Sequence, residues 1–292
     1  MPSLYRDFAT QEALDAEYDV EGIHPDFEGV VGMFLGASEQ ARTSLDARFD
    51  VPFGPTADEH VDVYPAGDAS GSRPVFVFIH GGYWRILSSK EFALSAPGPV
   101  ANGIDVVVTN YSLCPKVTIE EITRQSRATI KWVHEHCAEW GGDPDRIYVG
   151  GHSAGGQQTA MLLHTDWAGE YGLPADVIKG GIAISGVFDL RPLPFTLFAP
   201  ALQLTHRVIE GQSPQLLEGP LGAPLLVTWG GGETAEFARQ STDYLAKLEA
   251  AGANVRGLAL GDADHFEAVM GLNDAGSELT SELVRMTGGT PS

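Results

Sequence analysis

The chain has 292 residues, 43% of them apolar and 20% charged, and its 18 Lys and Arg against 39 Asp and Glu leave a formal net charge of −21. A chain this apolar can bury a core, so it is not disordered; one this acidic is unsuited to a nucleic-acid backbone or an anionic lipid surface, both of which recruit Lys and Arg. No apolar run approaches the roughly 20 residues of a membrane helix, the first ten residues hold no signal-peptide core, and two cysteines, Cys114 and Cys137, make no disulfide framework. These features lead to the expectation of a soluble, cytoplasmic protein whose partner is a small molecule rather than nucleic acid or membrane.

Residues 1 to about 50 show no strand-like run; single aromatics (Tyr5, Phe8, Tyr18, Phe27, Phe34) punctuate polar sequence, and Ser38 to Asp50 reads as helical. This is expected to be an N-terminal helical extension of one domain, residues 51–292. Beyond it, short β-rich runs alternate with helical stretches. The strands are expected at Val61–Tyr64, Pro74–Ile79, Ile104–Asn110, Arg146–Gly150, Gly180–Ser185 and Pro224–Trp229, with a weaker one at Asn254–Leu260. The unbroken apolar run Pro74–Ile79 is typical of a strand covered on both faces. Thr118, with Glu121 three residues on, opens a helix whose stripe is Ile119, Ile122, Ser126, Ile130, Val133, Cys137 and Trp140. A second helix runs from about Thr234 to Ala251. This alternation implies an α/β fold with a mostly parallel sheet and helices on both faces. Residues 187–220, rich in Pro, Leu and Phe, form a cap-like segment expected to line the pocket, and the tail from Thr287 to Ser292 is expected to fray.

Gly151-His-Ser153-Ala-Gly155 matches G-x-S-x-G between a strand and a helix, the context in which a sharp turn exposes a serine oxygen above the sheet. A serine hydroxyl needs a base. Of nine histidines, only His265 lies beyond the strand ending at Trp229, so chain order selects it. The acid is expected just after that strand. Glu233, in the loop, is preferred to Glu236, whose place in the first helical turn suits the helix dipole; Asp189, Asp262 and Asp264 remain alternatives. Gly81 and Gly82, in His80-Gly-Gly-Tyr-Trp84, together with Ala154, are expected to offer backbone N–H groups to an oxyanion. Tyr83, Trp84, Phe195 and Phe198 are candidate walls for substrate, and Arg85 is the first place to seek a cation for an anionic one. His134-Glu-His136 lacks metal spacing, and neither metal nor cofactor is expected.

His80-Gly-Gly-Tyr-Trp84, Asn110-Tyr-Ser-Leu-Cys-Pro115, Gly151-His-Ser-Ala-Gly155, Ser185-Gly-Val-Phe-Asp-Leu190 and Asp264-His-Phe266 occur in the order found in kynurenine formamidases (arylformamidases) of the α/β-hydrolase superfamily, which the chain resembles over residues 60–272. The resemblance implies Ser153 as nucleophile, His265 as base and an oxyanion hole from Gly81, Gly82 and Ala154. It implies cleavage of a small formamide of the N-formylkynurenine type or, alternatively, of another small ester or amide, and it brings a homodimer into consideration. Where the family usually has Asp, this chain has Glu233.

Overall fold

A computed structural model describes residues 3–290. Eight strands, β1 (Arg48–Pro52), β2 (His60–Tyr64), β3 (Arg73–Ile79), β4 (Asp105–Thr109), β5 (Gly142–His152), β6 (Ile178–Ile184), β7 (Leu225–Gly230) and β8 (Val255–Leu260), form one sheet in the order β1-β2-β4-β3-β5-β6-β7-β8. The β1–β2 and β2–β4 pairs are antiparallel and all others parallel. The helices are α1 (Gln11–Tyr18), α2 (Val20–Ile23), α3 (Phe27–Ser44), α4 (Pro97–Ala101), α5 (Ile119–His136), α6 (Ala154–Leu163), α7 (Trp167–Tyr171), α8 (Ala199–Leu202), α9 (His206–Gln212), α10 (Ala235–Ala250), α11 (Glu267–Met270) and α12 (Glu278–Met286).

The apolar run of β3 is explained by period-two alternation between two cores. Val75, Val77 and Ile79 face a cluster that includes Leu14 and Tyr18 of α1, Ile122 and Ile130 of α5 and Phe237 and Tyr244 of α10. Phe76 and Phe78 face the opposite cluster, with Val30 and Phe34 of α3 and Leu279 and Leu283 of α12. Thr118 caps α5 by accepting the Glu121 N–H, but the Glu121 carboxylate turns to Arg124 and Gln125, so only half of the expected capping box forms.

Three features differ from expectation. Arg48–Pro52 is an edge strand, so the sheet reaches across residue 50 into the stretch expected to be strand-free, and the helix expected at Ser38–Asp50 lies at Phe27–Ser44. An edge strand half in solvent carries no apolar run that would betray it. The 187–220 segment holds α8, α9 and short 3₁₀ turns at Leu193–Phe195 and Pro214–Leu216. Thr287 is tied down by Arg146, which donates to its carbonyl at 3.1 Å; the far end of the tail, 291–292, lies outside the described residues, as do 1–2. Among the described residues no helix is long and apolar enough to cross a membrane, and Cys114 and Cys137 are unpaired.

Candidate active site

The site gathers at the carboxyl ends of the parallel strands, where an open α/β sheet has its crevice. β5 ends on His152, and Ser153 turns at φ 58°, ψ −114° into α6. That backbone is costly for a non-glycine residue and persists because its surroundings leave no alternative. A Cβ on Gly155 would lie 1.9 Å from the Ile79 carbonyl oxygen, so β3 and α6 can approach this closely only with glycine at 155. The Ser153 N–H donates to the Ile184 carbonyl at 2.8 Å, which anchors the turn to β6.

His265 follows β8, and its Nδ1 lies 3.2 Å from Glu233 Oε2. The Glu233 side chain has no solvent exposure. Its other oxygen accepts the Gly230 N–H at 2.7 Å and the Ser185 hydroxyl. Both carboxylate oxygens therefore have assigned partners, and the imidazole is aligned by a group that cannot rotate away. Ser185 was legible only as a letter in the Ser185–Leu190 motif; its work here is to orient the carboxylate.

The competing acids are engaged elsewhere. Glu236 accepts the Tyr18 hydroxyl at 2.8 Å and pairs with Arg239 through both oxygens. Asp189 holds Arg191 and Tyr5, while Asp264 meets His24 at 3.0 Å and accepts from the N–H groups of Phe266 and Glu267. No partner is recorded for Asp262 among the described contacts.

The loop after β3 is pinned from behind. The His80 ring stacks on Tyr111 with centroids 3.9 Å apart, its Nδ1 meets the Gly81 carbonyl at 2.7 Å, and the Tyr111 hydroxyl donates to the His80 carbonyl at 3.0 Å. Burial holds the His80 imidazole down to about 4, so it is neutral at pH 7. Gly82 has φ +108°, and a Cβ there would meet the Ile86 carbonyl oxygen at 2.3 Å. The N–H groups of Gly81, Gly82 and Ala154 have no acceptor among the described contacts.

Ser153, His265 and Gly82 share one cavity of about 70 Å³, small against the roughly 300–1,000 Å³ of ordinary ligand pockets. Its outer wall comes from the N-terminal segment: Val20 and Glu21 of α2, then Phe27, Val30, Val31, Phe34 and Leu35 of α3. None of the residues lining it belongs to 187–220, the segment expected there. Of the candidate walls, Tyr83 lines the cavity. Trp84 is fully buried and turned to Gln157, to whose Oε1 it donates at 3.2 Å. Phe198 stacks behind Tyr83 at 3.9 Å, and the exposed Phe195 lies in a separate surface concavity with Arg191, Leu204 and Ile209. Arg85 is not a free cation: its guanidinium meets both oxygens of Glu21 at 3.0 and 3.1 Å.

A family profile describing the alpha/beta hydrolase fold matches residues 76–213. Kynurenine formamidase of Danio rerio is 32% identical over 263 residues, 88% of each chain, and that of Salmo salar is 32% identical over 257 residues, 86% of this chain and 85% of the other. A crystal structure of a candidate thioesterase from Silicibacter sp. TM1040 superposes with a TM-score of 0.79 at 27% identity, covering 91% of this chain and 97% of that one. The chain belongs to the α/β-hydrolase family, as a hydrolase homologous to kynurenine formamidase and related esterases.

Proposed function

We propose that the protein hydrolyses a small aryl formamide through a Ser153–Glu233–His265 triad. The observation that carries this reading is the buried Glu233 carboxylate 3.2 Å from His265 Nδ1, with Ser153 in the same cavity as the imidazole. Ser153 and His265 make no hydrogen bond with each other among the described contacts; such pairs commonly tighten only once substrate is bound. In the reaction, His265 takes the Ser153 proton as Oγ attacks the formyl carbon, and the N–H groups of Gly81, Gly82 and Ala154 receive the oxyanion. The imidazolium, stabilised by Glu233, then protonates the leaving amine. Water, deprotonated by His265, cleaves the formyl ester and releases formate.

Two facts support a small acyl group. The relatives named kynurenine formamidase match over most of both chains, and the cavity at Ser153 holds only about 70 Å³, room for a formyl or acetyl group. Tyr83 and the apolar faces of α2 and α3 form the wall for the remainder. The candidate-thioesterase neighbour favours a second reading, a small ester or thioester as substrate. A cytoplasmic, reducing setting agrees with the buried thiols of Cys114 and Cys137, which burial pushes up to about 11 and about 12.

Turnover of N-formylkynurenine, p-nitrophenyl acetate and a short acyl thioester on a single preparation separates these readings. Deformylation with the highest kcat/KM is expected. Ester or thioester turnover with no detectable deformylation would refute the formamidase assignment while leaving the hydrolase intact.

A further inference from the structure

The second residue of the elbow has a side chain that the reaction above leaves unused. His152 closes β5, in register with Ile184 of β6, so its backbone is fixed by the sheet. Its ring is buried against the His265 ring, with centroids 4.6 Å apart, and its Nε2 lies 2.8 Å from the His265 carbonyl oxygen. We infer that His152 is a positioning residue for His265, holding the backbone of the base in register with the nucleophile one residue away. The inference rests on the triad reading.

The tautomer follows from chemistry. A carbonyl oxygen only accepts, so Nε2 must carry the proton that it donates. Burial and the neighbouring His265 keep the His152 imidazole well below the ordinary histidine range, so the ring is neutral and Nδ1 bears a lone pair. That nitrogen is buried with no partner among the described contacts. It faces Gly81: a Cβ at 81 would lie 3.0 Å from Nδ1 and 3.2 Å from the Ser153 Cβ. The imidazole is thus wedged between the oxyanion loop, the elbow and the loop after β8, with one orientation and one tautomer.

The geometry also explains what the contact is for. Glu233 orients the His265 ring through Nδ1, but a ring can be aligned and still displaced if its main chain drifts. Among the described contacts, the hydrogen bond from His152 is the one that reaches the backbone of His265. Ring and backbone are held by separate contacts, the ring by Glu233 in the loop after β7 and the backbone by His152 at the end of β5. Displacements of about 1 Å at a reacting group cost about 10²-fold in rate.

The test compares His152→Leu, which fills the space without a donor, with His152→Gln, whose amide nitrogen can reach the same carbonyl. Rates are counted per active site titrated with a fluorophosphonate, so misfolded molecules do not enter. His152→Leu is expected to lower kcat about 10–100-fold with KM within about three-fold of wild type, and His152→Gln to recover kcat to within about five-fold. If His152→Leu does not fold, His152→Asn, whose amide stops short of the carbonyl, takes its place. Equal kcat in His152→Leu and wild type overturns the inference, as does a His152→Gln variant no faster than the leucine one. Failure of the triad reading is seen separately: wild type would then not take the label, or Ser153→Ala would still take it.

Discussion

The two halves of the cavity are held by different physics. The inner half, Gly82, Ser153 and His265 at the ends of β3, β5 and β8, is set by the sheet register, by backbone too crowded to admit a Cβ, and by buried imidazoles. The outer half, Val20 to Leu35, is held by side chains reaching across long sequence separations. Tyr18 meets Glu236, His24 meets Asp264, Glu21 meets Arg85, and the Ser38 hydroxyl bonds the backbone of Glu91 and Leu94. Each tether is an individually modest interaction, partly screened where exposed. On the triad reading proposed above, the inner half would govern the chemical step and the outer half access and what can be accommodated.

Substitutions can break that division. Ser153→Ala is expected to lower kcat/KM on the order of 10⁴–10⁶-fold with the melting temperature within about 2 °C of wild type; a residual activity above about 1% removes Ser153 from the chemistry. Glu233→Gln is expected to cost about 10³–10⁴-fold in kcat. Glu236→Gln, at the foot of a tether, should change kcat less than about five-fold yet lose about 1–3 kcal/mol in urea denaturation, because Arg239 loses its two-oxygen charge partner and keeps only Asp243. The inverse result would exchange the two acids.

Acid should reach the inner half through His80. Its folded-state value of about 4 lies below the ordinary histidine value, so the unfolded chain binds the extra proton and the stability from the neutral ring is present above about pH 6.5 and lost as pH falls toward 4. His80 contributes about 1.4 kcal/mol per pH unit of slope in that window, to which the likewise depressed His152 and His164 add in the same direction. Denaturation curves at pH 7.5, 6 and 5 check it, and a His80→Gln variant should show a flatter dependence. The smallest expected effect is in the outer half: Glu21→Gln releases Arg85 and should lower KM several-fold for a carboxylate-bearing aryl formamide, with a smaller change for a neutral one. Equal shifts for both substrates would mean that Arg85 stays out of reach of the cavity.

Most of the inner half could be read from the chain, because its determinants are local. A strand, a turn of small residues and a helix sit side by side in sequence at Gly151–Gly155, and chain order alone separates His265 from the other histidines. Glu233 was distinguishable from Glu236 only by loop against helix, and it is Ser185 and the Gly230 N–H, remote or unremarkable in sequence, that occupy its second oxygen. The outer half was not legible. Phe27 and Phe34 looked like isolated aromatics, and their neighbour Phe266, at 5.6 and 6.3 Å, is more than two hundred residues away. The 187–220 segment drew the eye by composition, but its buried Phe198 backs Tyr83 instead of facing the cavity. Trp84, beside a residue that does line it, points to α6.

The packing of Phe27 and Phe34 against Phe266 has a consequence for how the protein is made. During synthesis α3 leaves the ribosome more than two hundred residues ahead of the Phe266 ring on which its aromatics pack. Phe34 can pack on Phe92 soon after it emerges, but its contact with Phe266 must wait for that later segment. A nascent chain stalled before residue 264 can order its first strands, yet it lacks His265 and the Phe266 ring against which Phe27 and Phe34 pack. The cavity is complete only once these two distant segments of the chain have met.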